Sequence, residues 1–449
     1  MRSLVAVRDQ ACPTFGRMRY QQALALVLFA GVFGTGCKKE PANEPPRITL
    51  LSPSEFASVA LPDTVVVQVE ASDDHGLTQV SVTLLDANGI PVVGGASASA
   101  SGTSATRSLA LPITAEQITS GQYQLLAVAS DGELTGRDSR LLNVSAIPLR
   151  VRSIFTVADQ GAGTVALYRT DSLGQTAVAA TWPMDFGGAA ISSIAQRLCV
   201  AGASTGDLQT LYAENLAPAW QLPNQSAIAA PWFTSVDLCA DGRLYVGQDN
   251  GTLRAFNPAN GVGGTTITLP ELFRAQQAIT VADRVVTTER HFVTQEQRVG
   301  IYYRISGVAV ASQPLDLSPV GLFMRDEDHV LLFGNRSGQG LVLDRNLGGG
   351  GTWEAYAWPT AIRAVERLSE MDWLVALANG ELRRYVYGGG SIALGTAPLL
   401  HCLAYEPVNG VVYGGADGQV LAIDPGTGAN TASWSVSGPV RRVLPLHNR

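Results

Sequence analysis

Four carboxylates near the start of the chain could hold a cation. Glu70, Asp73, Asp74 and Asp131 flank Gly76 and Gly132, and if those turns meet at one end of a domain their oxygens suit Ca²⁺. Asp and Gly are also ordinary turn formers, which is the competing reading. A second acidic run, Asp326-Glu327-Asp328-His329, offers the paired carboxylates of glycoside hydrolysis. It sits between Phe323-Met324 and Val330-Leu331-Leu332, where other parts of the chain carry Asp241-Gly242 or Asn409-Gly410. That placement predicts an exposed hairpin turn. His291, beside Glu289 and Arg290, lies in the longest repeat, Ala278 to Leu317, where an insertion would make a binding surface. Trp232, Phe233, Trp353 and Trp358 could line a face that meets sugar or protein, or could anchor one sheet against the next. Cys199, Cys239 and Cys402 each stand in an apolar run, the setting of a buried thiol, with a Cys199–Cys239 bridge as the alternative. No Cys-x-x-Cys pair, Gly-x-Ser-x-Gly elbow or phosphate-cradling Gly-Lys-Ser/Thr loop occurs. The sequence offers no catalytic constellation and calls for no cofactor.

The first residues read as an address. Arg17-Met18-Arg19 precedes an uncharged apolar stretch from Ala23 to Gly36, which is short for a spanning helix and suits a signal peptide over 1–36. Met18 is a second possible start. The ending Gly34-Thr35-Gly36-Cys37 resembles the lipobox of bacterial lipoproteins, with Gly34 in place of the usual Leu. The resemblance implies lipid on Cys37 and a chain tethered to a membrane of the bacterial envelope, the outer one expected, facing periplasm or cell surface. Residues 37–46 continue as a polar, Pro-rich tether.

The 449 residues are 46% apolar and only 15% charged, so the chain is not largely disordered. Its formal charge is −7, and residues 1–36 contribute four Arg and one Asp, leaving the rest near −10. Without a basic face it is no partner for nucleic acid, and overall charge does not draw it to anionic lipid. Forty-seven Gly residues divide short apolar runs, the texture of strands joined by tight turns.

Residues 47–148 predict a β-sandwich. Arg47–Leu51, Thr64–Ala71, Gln79–Leu85, Arg107–Pro112, Gly121–Ser130 and Ser139–Val144 read as strands, with Gly94 to Ser108 as a loop between them. The turn Ala71-Ser72-Asp73-Asp74-His75-Gly76 and the segment Tyr123 to Gly132 resemble bacterial Ig-like and PKD-type modules, which implies an Ig-like fold.

Residues 153–449 repeat. Leu244 to Gly261 and Val412 to Gly428 both read strand, Asx-Gly turn, strand, Asx-Pro turn. Gly163, Gly206, Gly251, Gly300, Gly340, Gly380 and Gly418 mark seven units at roughly 42-residue spacing, each Gly expected in a hairpin turn. Such units cannot bury both faces alone and must stack into a ring. Val440 to Leu446 has no unit of its own and is expected to complete the first blade, although Pro445 lacks an amide hydrogen. The expected fold is therefore all-β, an Ig-like β-sandwich followed by a seven-bladed propeller of four-stranded blades. The repeats resemble PQQ-like and YVTN-type propeller repeats of exported bacterial proteins. The Cys-Cys pair of quinoprotein dehydrogenases is lacking, and Gly348 stands where a sialidase Asp-box would place Asp.

These features predict a membrane-anchored, extracytoplasmic binding or scaffolding lipoprotein whose propeller meets an envelope protein, the sandwich serving as spacer. The alternative is a carbohydrate-binding or carbohydrate-active propeller whose site, for a glycan, lies at the channel mouth. Carboxylates and tryptophans converging on one face would favour it.

Overall fold

The computed structural model describes residues 42–226, 231–349 and 351–449, so the leader and Cys37 lie outside the described residues. All regular structure in them is β. The chain forms two compact units, with Asn143–Arg449 wholly in the second.

In the N-terminal region one sheet runs Arg47–Ser52, Asp63–Ser72, Ser104–Ile113, and the other Ala57–Ala60, Thr135–Ser145, Gly121–Ser130, Gln79–Leu85, Ala96–Ser99. Alternation decides which side faces in: Val65, Val67, Val69 and Ala71 are buried while their neighbours along Asp63–Ser72 are exposed. Along Gly121–Ser130, Tyr123, Leu125, Ala127 and Ala129 are buried and the residues between them half-buried. The stretch from Gly94 to Ser108, expected as a loop, instead contains Ala96–Ser99, paired to Gln79–Leu85 with Ala98 opposite Val80. An edge strand of small residues carries no apolar alternation, which is why the pattern hid it.

The second unit is a closed ring of sheets. Five separate four-stranded sheets follow one another from Gly188 to Thr396. A sixth sheet is shared by the two ends of the region, because Asn430–His447 pairs with Val411–Ile423 through its first part and with Val151–Gly161 through its last. The innermost strands are Gly188–Ser192, Phe233–Leu238, Phe273–Val281, Ser318–Met324, Ile362–Ser369, Cys402–Glu406 and the end of Asn430–His447. Each lies beside the next, and the last touches the first. Leu444 stands opposite Phe155, and Pro445 opposite Ile154. This final stretch is an edge strand facing the channel, the kind of place where proline is tolerated.

Gly163, Gly206, Gly251 and Gly380 occupy left-handed turn positions, and Gly418 is left-handed at a register shift inside Val411–Ile423. Gly300 and Gly340 do not: they lie inside Gln297–Tyr303 and Gln339–Asn346, and those two sheets turn at Gln295 and at Ser337-Gly338. Glycine is there for space. A Cβ on Gly300 would fall 2.1 Å from Glu289 Oε1, and one on Gly340 2.9 Å from the Thr360 carbonyl. The extra length of the unit around His291 is also not an inserted loop. It lies in longer strands, Phe273–Val281, Arg284–His291 and Gln297–Tyr303.

Candidate functional site

Every inner strand starts on the same face of the ring, and two cavities open there. The largest, about 640 Å³, opens into the channel and is lined by Arg363, Glu366, His401, Arg441, Arg442 and Asp159 among others. Arg441 is neutralised by Asp159 at 2.8 Å, and its hydrogen bond holds the Asp159 carboxyl below the usual carboxylate range. Arg363 Nη2 donates to His401 Nδ1 at 2.9 Å, and His401 Nε2 lies 2.7 Å from Asp417 Oδ1. With Nδ1 accepting, the ring proton belongs on Nε2 and is given to Asp417, an assignment made from the network. Arg442 makes no side-chain hydrogen bond or ion pair among the described residues.

Two carboxylates occupy inner strands within electrostatic reach of Arg442. Burial pushes Asp237 up to about 6 and Glu366 up to about 7; Arg442 and backbone N–H groups of Ala278 and Tyr405 pull the other way. Both are half-buried on their strands. Asp237 Oδ2 accepts from Ala278 N at 3.1 Å, and Gln277 Nε2 donates to the Val320 carbonyl at 2.9 Å. Polar side chains thus tie each of these inner strands to the next. A second cavity of about 410 Å³ shares Phe186 with the first. There Arg274 pairs with Asp249 at 2.8 Å and lies 5.7 Å from the Phe292 ring.

The residues singled out by sequence are scattered. Asp73 Oδ2 accepts the N–H groups of His75 and Gly76, and Asp131 Oδ1 those of Glu133 and Leu134. Asp74 pairs with His75 at 3.1 Å, and Glu70 is exposed on its strand. Asp131 Oδ2 also accepts from Asn43 Nδ2 at 2.9 Å, and among the described residues no set of three or more His, Cys, Asp or Glu side chains could hold a metal ion. His291 Nδ1 accepts from Val293 N and Thr294 N, and its ring meets Phe273 edge-on, so it fastens a turn. Phe233 and Trp358 are buried, and Trp232 is half-buried against the neighbouring core. Trp353 is 44% exposed, with the His329 ring and the Arg325 guanidinium each 5.8 Å away. Asp326 lies in a turn, accepting from Asp328 N and meeting His329 at 2.8 Å. Cys199, Cys239 and Cys402 are free and buried, and burial pushes the thiols of Cys199 and Cys402 up to about 11.

The channel group of Asp237, Glu366 and Arg442 was not picked out beforehand. Its signal is a charge interrupting an otherwise apolar strand, as in Val236-Asp237-Leu238 and Val365-Glu366.

Residues 46–127 match the bacterial Ig domain family. No curated protein matches the sequence. Among solved structures the chain is similar to the WD40 β-propeller domain of Doa1, at 12% identity and a TM-score of 0.45, over 59% of this chain and 85% of that one. The protein is all-β and carries a bacterial Ig domain ahead of a propeller-like ring of sheets.

Proposed function

We propose that this chain is a membrane-anchored extracytoplasmic scaffolding lipoprotein whose propeller binds an envelope protein on the face where its inner strands begin. The observation that carries this reading is the closed ring itself, which holds Arg363, Arg441 and Arg442 on inner strands, and His401 just before one, around one opening. Rigid strands position such groups more accurately than loops, and charged groups around a concavity select a complementary partner. Lipid on Cys37 would hold that face at a fixed range from a membrane.

The test is crosslinking in cells, followed by detergent extraction and mass spectrometry. One envelope protein should be recovered in near-stoichiometric amount with the native chain and be lost with Arg363→Glu plus Arg442→Glu. Recovery unchanged by those substitutions, or no partner at all, overturns the reading. A glycan is the second reading, favoured by the exposed Trp353 beside Arg325 and Asp326.

A further inference from the structure

The ring's other face, where inner strands end and third strands turn into fourth strands, has a different character. Two neighbouring turns there, 257–262 and 303–308, present Val262, Tyr303, Ile305 and Val308. Ile305 is 85% exposed and Val262 62%. Each turn is closed by backbone hydrogen bonds, Asn257 N to the Val262 carbonyl and Tyr303 N to the Val308 carbonyl, both 2.9 Å. They belong to one surface: Thr265 Oγ1 donates to the Ile305 carbonyl at 3.1 Å. Gly307 packs so tightly that a Cβ there would lie 2.5 Å from the Thr266 carbonyl.

Arginines fringe these apolar tips. Arg304 lies 3.6 Å from Asp241 and Arg284 3.7 Å from Asp283. The Arg243 and Arg254 guanidinium groups reach Gly264 and Gly263, immediately after Val262, and neither forms an ion pair among the described residues. Four cations against two carboxylates is a local excess of positive charge on a chain whose net charge is −7.

We propose that this edge of the propeller seats on an anionic lipid surface. Ile305 and Val262 enter the boundary between headgroups and acyl chains, and the arginines meet phosphates. Convexity favours lipid over a folded partner. The apolar side chains stand on turn tips, and none lines either cavity described above, whereas a protein would need a matching hollow. The inference rests on the membrane-anchored reading and adds an orientation: the two cavities described above would point away from the bilayer.

The acylated full-length chain is reconstituted in vesicles of phosphatidylethanolamine and phosphatidylglycerol, with an environment-sensitive fluorophore on Ile305→Cys. Cys199, Cys239 and Cys402 are buried and should stay unlabelled, which peptide mapping checks. Emission from position 305 should brighten and shift to the blue, and the same label on Val178→Cys, 58% exposed on Thr176–Trp182, should not change. Arg243→Gln and Arg254→Gln should each lower the docked fraction about fivefold. An unchanged signal at 305, an equal shift at 178, or a shift that appears only when envelope proteins are added overturns the proposal. Those outcomes leave the scaffolding reading standing, since it is tested by partner loss from the opposite face.

Discussion

The sandwich and the propeller close their sheets by different means. In the sandwich, Leu50, Val67, Val69, Leu84, Leu111 and Leu125 are fully buried with no buried polar side chain among them, and the bonds of Asp138 and Arg140 to the Leu50 backbone lie at the part-buried margin. Every buried polar or charged residue among the described ones falls at Ser153 or later, including Glu289, Asp344, Arg345 and Glu406. Two sheets pressed face to face need only a period-two apolar side. A propeller sheet has neighbours on both faces and must also keep its angle to them, which non-directional burial does not fix. Directional ties supply that. Asp344 receives Arg325 from its own sheet and the Tyr387 hydroxyl that follows the next sheet's third strand. Glu406 receives Val408 N, Asn409 N and His447 Nε2, joining the last sheet to the closing strand.

The largest effect should come from breaking a buried polar network within one propeller sheet. Glu289 is fully buried, with Thr287 Oγ1 and the Tyr302 hydroxyl each at 2.6 Å and Arg298 Nε at 2.6 Å. Glu289→Ala strands a buried guanidinium and two hydroxyls, and should cost the propeller about 3–5 kcal/mol in urea unfolding. A loss under about 1 kcal/mol would mean that the network is ornamental. Replacing Glu289 and Arg298 together by leucine should recover most of the stability, since burial of apolar groups is less demanding than burial of an unpaired charge.

The sandwich should respond to volume. Leu111→Ala removes a fully buried side chain from a core with no buried polar side chain and should cost about 2–5 kcal/mol, read from the unfolding of the same full-length chain. A cost well below that range would show that the sandwich, too, relies on directional contacts.

The sequence made the sandwich strands readable because alternation in Asp63–Ser72 and Gly121–Ser130 is a local signal. It also made the ring readable, since Asx-Gly turns recur and Val440 to Leu446 lacks a unit of its own. What it hid depends on neighbours distant in sequence. Gly300 and Gly251 look alike in the chain, yet one makes room for Glu289 and the other turns a hairpin. Nothing local separates a strand glycine from a turn glycine when both precede apolar residues. The candidate site was hidden for the same reason. Asp237, Glu366 and Arg442 are far apart in sequence, and only ring closure brings them to one channel.

The buried channel carboxylates and the turn carboxylates of the sandwich should also differ in the sign of their response to pH, a smaller effect than either core lesion. In the channel, burial raises Asp237 from 3.8 to about 6 and Glu366 from 4.5 to about 7. The folded chain therefore holds these protons more tightly than the unfolded chain. The stability this gives is complete below about pH 4 and is lost as pH rises to about 7. In the sandwich the direction reverses: backbone N–H groups of Ile90 and Leu134 hold the carboxyls of Asp86 and Asp131 below 3.8. Their contribution is present above that value and is lost as pH falls through the lowered pKa. Asp237→Asn and Glu366→Gln keep an acceptor for the N–H groups of Ala278 and Tyr405 but cannot titrate. Each should remove up to about one proton from the uptake difference between folded and unfolded chain. Urea midpoints across a pH series should then flatten between about pH 4 and about pH 7, leave the acid limb untouched, and place both variants above the native chain beyond about pH 7. A double variant that keeps the native slope would mean that the channel carboxylates titrate as solvent-exposed groups do, and the contrast between the two regions would then rest on packing alone.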